Sequence, residues 1–174
     1  PAHIPNSQIL TAILLGNSVI FKPSELTPFV GQFLAELWDE AALPKGVFNL
    51  VQGDGRVGRR LAIHDRLHGI IFTGSYATGQ NIREETVHQP EKLVALEMGG
   101  KNAAIVSRHA DLDQALQGTF LGAFSMAGQR CNATSRILVE KKILTVFLDR
   151  FITSLKGLRI GYGLEPEVMM GPLV

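Results

Sequence analysis

Among its 174 residues the chain has one cysteine, one tryptophan and two tyrosines, and neither sign of charge predominates. A single thiol, Cys131, excludes an internal disulfide and any metal site built from several cysteines. Two roles are left for it, a buried small hydrophobe or a reactive thiolate. Lys and Arg number 17 against 16 Asp and Glu and are scattered, so the basic footprint of nucleic-acid binding is absent. The longest early apolar run, Ile9 to Leu15, is broken by Thr11 and falls far short of the roughly 20 residues that cross a bilayer. No basic segment precedes it, as a signal peptide would require. Neither a membrane nor a nucleic acid is expected as a partner, and the reducing cytoplasm is the expected compartment. His3, His64, His68, His88 and His109 show no metal-ligand spacing: Asp65 follows His64 where a zinc-binding HExxH helix needs glutamate, and no metal is expected.

With 45% hydrophobic and 19% charged residues, the chain can bury one substantial core. Short apolar runs alternate with longer amphipathic stretches, the pattern of a parallel sheet flanked by helices. Strands are predicted at 19–22, 48–51, 69–72, 92–96, 103–106 and 136–140. Helices are predicted at 29–42, 56–63, from the Thr73-Gly74 turn to about 87, at 111–127 behind an Asp111 cap, and at 143–158. The last carries Ile143, Val146, Phe147, Phe151 and Leu155 at helical spacing. Phe29, Phe33, Leu37 and Trp38 are expected in the core. A doubly wound, mostly parallel α/β sheet of Rossmann-like type accounts for residues 1–127. The change of character near Cys131 predicts a second α/β domain beginning at 128–174, with the thiol near a domain boundary, where ligand clefts tend to form.

Four short segments carry candidate chemistry. In FTGSYATG, Gly74 and Gly79 flank a strand-to-helix turn whose backbone N–H groups can receive a phosphate, although such glycines also serve plain tight turns. Lys22, Ser24 and Glu25 follow the first strand, where a carboxylate can accept from both hydroxyls of a ribose diol and would repel a 2′-phosphate; a capped helix start is the competing reading. Glu97 ends an apolar strand before Met98-Gly99-Gly100, placed for proton transfer or for an ion pair with a base such as Lys101. Cys131 follows Arg130, a cation that favours thiolate if the two side chains share an environment, and Gly128 permits a bend that presents the sulfur. Arg130 and Arg136 are candidates for a substrate carboxylate, with solvated or ion-paired arginine as the alternative.

Taken in order, GNSVIFKPSELTP, NLVQGDG, FTGSYATG, LEMGGKN, GQRC and the terminal MGPLV resemble the aldehyde dehydrogenase superfamily over essentially the whole chain, with the Glu97 to Cys131 interval suiting that family. The resemblance implies Cys131 as nucleophile and Glu97 as general base. It implies NAD, in preference to NADP, held by Lys22 and Glu25 at the adenosine ribose and by Gly53 on the adenine side, with Ser24 also among the cofactor-binding residues. Phe72, Thr73, Gly74, Ser75, Tyr76, Ala77, Thr78 and Gly79 would also bind the cofactor, Gly74 and Ser75 against the pyrophosphate, together with Met98 and Gly99. PAHIPN and AGQRC look most like the branch acting on succinylglutamate semialdehyde in arginine catabolism, which commonly reads GGNN where this chain has Gly99-Gly100-Lys101-Asn102. The family pattern places an oxyanion asparagine before Pro1 and a nicotinamide-ribose glutamate beyond Val174, so a central piece of a longer, homo-oligomeric enzyme is expected. A non-catalytic nucleotide-binding fragment and a cysteine hydrolase are the alternatives, the latter requiring a histidine at hydrogen-bond distance from Cys131.

Overall fold

Strand and helix alternate along almost the entire chain in the computed structural model, which describes all 174 residues. The order is α1 (His3–Leu14), β1 (Val19–Phe21), α2 (Pro28–Glu40), β2 (Phe48–Leu50), α3 (Gly55–Ala62), β3 (Gly69–Gly74), α4 (Tyr76–Thr86), β4 (Leu93–Met98), β5 (Asn102–Val106), α5 (Leu112–Phe124), β6 (Thr134–Val139) and α6 (Leu144–Lys156). The strands hydrogen-bond as three pairs, β1 with β2, β3 with β4 and β5 with β6. The first and third pairs are parallel, aligned Val19 with Phe48 and Val106 with Val139. The fold is therefore α/β with parallel strand pairing, as expected. No helix is long and apolar enough to cross a membrane.

The chain packs as two compact units, Pro1–Glu97 together with Val174, and Met98–Leu173. This division by packing falls before the 127/128 position at which the sequence changes character, because β5 takes β6 as its ladder partner and α5 covers that pair.

In the first unit, helix α1 lacks a side-chain cap at its start but ends in a Schellman motif. Gly16, at φ +83°, donates to the Ile13 carbonyl and the Asn17 N–H to that of Ala12. The apolar run Ile9 to Leu15 thus belongs to a helix that the sequence pattern does not mark. Helix α2 opens on Pro28, whose fixed φ suits a first helical position. Its Gly31 and Leu34 are buried and Trp38 is half-buried, stacked on Phe48 at 6.0 Å, with its indole N–H donating to Asn6 Oδ1 at 3.1 Å. Phe29, Phe33 and Leu37 are instead exposed, Phe29 at 87%, which corrects their expected place in the core. A spacing of four marks one stripe of a helix, and here the glycine-bearing stripe approaches the sheet because Gly31 lies against Pro23.

Asp54 caps α3 by accepting from the Arg56 N–H at 2.9 Å. The opposite end is held by buried Lys92, whose ammonium donates to the Ala62 and His64 carbonyls at 2.8 and 3.0 Å. A cation there also opposes the negative end of the helix dipole.

The second unit is organised around Val106, Leu116 and Phe147, with Ile137, Val139, Ile143 and Phe151 packed on them. Phe147 is 1% exposed and stacks on Phe151 at 5.6 Å. The predicted helix 111–127 stops at Phe124: Met126, Ala127 and Gly128 take φ of 52°, 57° and 69°, left-handed values that no α-helix accommodates. Helix α5 lies close over the start of β6, where a Cβ on Gly122 would stand 2.6 Å from Thr134 Oγ1.

Candidate active site

Three elements of the first unit converge on Lys22. It leaves β1 with its side chain mostly covered, and its ammonium donates to the Pro23 carbonyl at 2.6 Å and the Gly53 carbonyl at 2.7 Å. The third neighbour is the Glu25 carboxylate at 3.5 Å. Lys22 and Glu25, three residues apart, and the sequence-distant Gly53 therefore form one cluster. With the Lys22 protons directed inward, Glu25, 54% exposed, is the member with acceptor capacity toward a ligand. Ser24 is exposed and its hydroxyl accepts from the Leu26 N–H at 3.3 Å, a local turn bond. Gly53 has φ +154°, and a side chain there would meet Val57, with Val57 Cβ at 2.8 Å, so only glycine keeps this carbonyl on Lys22.

The second cluster spans the end of β3 and the head of α4. Ser75 caps the helix, its hydroxyl oxygen accepting from the Thr78 N–H at 3.2 Å while its proton goes to Thr78 Oγ1 at 2.9 Å. The Tyr76 and Ala77 N–H groups have no acceptor in the chain, and Thr73 through Thr78 are exposed. An open pair of donors at a positive helix end is suited to a phosphate. Phe72 is half-buried, with its ring Cζ in contact with the position a Gly74 Cβ would take and Cε1 and Cε2 at 3.1 Å from it, and Gly79 is buried. Gln8 of α1, absent from the sequence expectations, donates to Thr73 Oγ1 at 3.1 Å. Gly53, between β2 and α3, and the head of α4 lie on successive βα units, whose helices α3 and α4 are tied by Arg59 and Glu85.

Glu97 lies near the end of β4, exposed and in no ion pair within its unit. Met98 is half-buried and Gly99 exposed. In the second unit Cys131 is an exposed free thiol on a turn in which the Ala133 N–H donates to the Arg130 carbonyl at 3.1 Å. The Cys131 N–H has no acceptor in the chain. A nucleophilic sulfur beside an open N–H can attack a carbonyl carbon and hydrogen-bond the oxygen that becomes negative.

Asn102 was not anticipated as part of this site. Its side-chain amide donates to the Cys131 carbonyl at 2.7 Å and to the Ala133 carbonyl at 3.3 Å. Ser135 donates to the Asn102 carbonyl at 3.2 Å, across a bulge where the β5–β6 register shifts after Asn102. Arg136 donates to the Lys101 carbonyl at 2.5 Å rather than standing free for a substrate, whereas Arg130 is exposed and in no ion pair. The one histidine of this unit, His109, accepts from Arg108 at 3.0 Å beyond the far end of β5, about 13 Å of strand from Asn102 at 3.3 Å per residue. The unit therefore holds no Cys–His pair of the kind a hydrolase needs. No group of His, Cys, Asp or Glu side chains is arranged to hold a metal ion.

Comparison with known proteins follows the same lines. The aldehyde dehydrogenase family model matches residues 1–174. The N-succinylglutamate 5-semialdehyde dehydrogenases of Serratia proteamaculans and Escherichia coli are each 44% identical over the whole chain, which spans 36% of their length. Lactaldehyde dehydrogenase from Escherichia coli superposes with a TM-score of 0.93 at 36% identity, over 99% of this chain and 36% of that one. Betaine aldehyde dehydrogenase from Staphylococcus aureus, in complex with NAD+, gives 0.84 at 36% identity over 90% of this chain and 31% of its own. Motif order, fold and full-length identity agree, and the chain belongs to the aldehyde dehydrogenase family.

Proposed function

We propose that this chain carries the nucleophile, the general base and much of the dinucleotide cradle of an NAD-dependent enzyme that oxidises N-succinylglutamate 5-semialdehyde to the carboxylic acid. The observation that carries the chemistry is the exposed Cys131 thiol beside its own unpaired N–H. The choice of semialdehyde is supported by 44% identity to enzymes named for that substrate. In this reading residues 1–127 serve the cofactor and 128–174 open the catalytic domain of a cytoplasmic, homo-oligomeric enzyme.

The Cys131 thiolate adds to the aldehyde carbon, and the carbonyl electron pair moves to oxygen, where the Cys131 N–H stabilises it. NAD held by this cradle would supply the hydride acceptor, and loss of hydride to it would leave the Cys131 adduct as a thioester. Glu97, exposed at the end of β4, takes a proton from water as that water adds to the thioester carbon, and the sulfur leaves as thiolate with release of the acid. Glu25 accepts from the ribose hydroxyls, and its charge disfavours a 2′-phosphate, which supports NAD over NADP. The open N–H groups of Tyr76 and Ala77 are suited to the pyrophosphate.

Cys131→Ala in the full-length protein is expected to abolish NADH formation from the semialdehyde while leaving NAD affinity within about twofold, since the thiol lies outside the proposed cradle. Undiminished turnover would reject the covalent route. NAD titration into these 174 residues alone separates a binding fragment from an inert one.

A further inference from the structure

We infer that Asn102 is a positioning residue for Cys131: its carboxamide pins the nucleophile's turn to the start of β5 and so sets the direction in which the sulfur and the Cys131 N–H are presented. The inference rests on the reading of Cys131 as the nucleophile.

Cys131 lies between two very different stretches of backbone. On its N-terminal side Met126, Ala127 and Gly128 run through left-handed space, and on its C-terminal side β6 begins with a bulge. The turn itself closes with one backbone hydrogen bond, from Ala133 to Arg130, and the thiol and the Cys131 N–H are both without partners in the chain. Asn102 supplies the remaining fixed points. One side-chain NH2 group donates to two carbonyls of the turn, Cys131 at 2.7 Å and Ala133 at 3.3 Å. Fixing the Cys131 carbonyl fixes the plane of the peptide that follows it, and with it the ψ of Cys131. Asn102 is itself held by its backbone: Asn102 pairs with Thr134 in the β5–β6 ladder, and its carbonyl accepts from Ser135. The contact therefore ties the nucleophile to strand rather than to loop, and bulges beside reactive residues commonly re-aim them in this way. A residue of this kind acts on the step in which sulfur meets carbon. It has no direct part in NAD binding or in the later attack of water.

Pre-steady-state kinetics in the full-length protein, with NAD and N-succinylglutamate 5-semialdehyde, resolve these steps. Asn102→Asp keeps the side-chain shape and removes both donors; Asn102→Ala removes the side chain. Both are expected to slow the burst of NADH formation by about tenfold to a hundredfold, the penalty of a misaligned nucleophile. Thioester hydrolysis and NAD affinity are expected to stay within about twofold. A burst at the native rate in either folded variant overturns the inference. So does equal slowing of burst, hydrolysis and NAD binding with a lowered melting temperature, which marks a general structural role. Failure of both variants to fold overturns it in the same sense. Turnover by Cys131→Ala is a separate result that refutes Cys131 as the nucleophile.

Discussion

Gly31→Ala tests whether packing of α2 positions the Lys22 cluster. A Cβ at this position would lie 2.5 Å from Pro23 Cβ and closer still to Pro23 Cγ, whereas carbon atoms rest at about 3.5–4.0 Å. The shortfall is at least about 1 Å, and neither side yields easily: Pro23 is a rigid buried ring and Gly31 sits within a 13-residue helix. Overpacking of this kind costs about 1–3 kcal/mol, and for a cooperative unit of about 150–250 residues each kcal/mol lowers the melting temperature by about 2–4 °C. The expected fall is therefore about 2–12 °C. Separation of α2 from Pro23 also displaces the neighbouring Lys22 and Glu25, so NAD affinity is expected to drop about tenfold, equivalent to about 1.4 kcal/mol. Differential scanning calorimetry and NAD titration of the full-length protein measure the two effects. Gln32→Ala, which removes only an exposed contact to Glu36, serves as a control expected to stay within about 0.5 kcal/mol. A melting point within about 1 °C of the original, with NAD affinity unchanged, would refute the argument that Gly31 is there for the close approach.

Three further outcomes follow from other contacts. Phe147→Ala empties the centre of the second unit and is expected to cost about 3–5 kcal/mol in urea unfolding. Lys92→Met leaves the Ala62 and His64 carbonyls without their buried ammonium donor, an expected loss of about 1–3 kcal/mol by the same measurement. The Arg56 backbone N–H, and then its guanidinium, hold the Asp54 carboxyl below its ordinary value of 3.8. The folded state thus binds this proton less readily than the unfolded chain, so the contribution is present above about pH 3.8 and is lost as pH falls through the lower folded value. Asp54→Asn is expected to flatten the acid limb of the stability profile below pH 4, and an unchanged slope there would contradict the assignment.

Much of the fold was legible because strands ending in turn residues and helices opening on Pro28, Asp54, Ser75 and Asp111 write their boundaries into the sequence. Helix α1 was not, since it has no capping side chain and carries Pro5 in its first turn. Phe29, Phe33 and Leu37 misled because periodicity identifies a stripe without saying which stripe meets the sheet, and the close approach of Gly31 to Pro23 settled that. The end of α5 was placed late because Met126 and Ala127 are ordinary helix formers, and their left-handed angles are imposed by the surrounding fold. At the site, residue types after the first strand and around Cys131 single out candidates from the sequence alone. The Lys22 bond to Gly53 and the Asn102 bond to Cys131 are not legible there, because each joins positions about thirty residues apart and depends on strand register.

The left-handed run at Met126, Ala127 and Gly128 also governs how this stretch can drift over generations. For L-residues, unlike achiral glycine, such angles cost roughly 1–2 kcal/mol each, and branching at Cβ worsens the collision with neighbouring carbonyls. Val, Ile and Thr are therefore disfavoured at positions 126 and 127 by backbone geometry alone. Tolerated replacements there should cluster among glycine, asparagine and small or unbranched residues. At these three positions the residue type is constrained by the hand of a turn rather than by the chemistry it leads to.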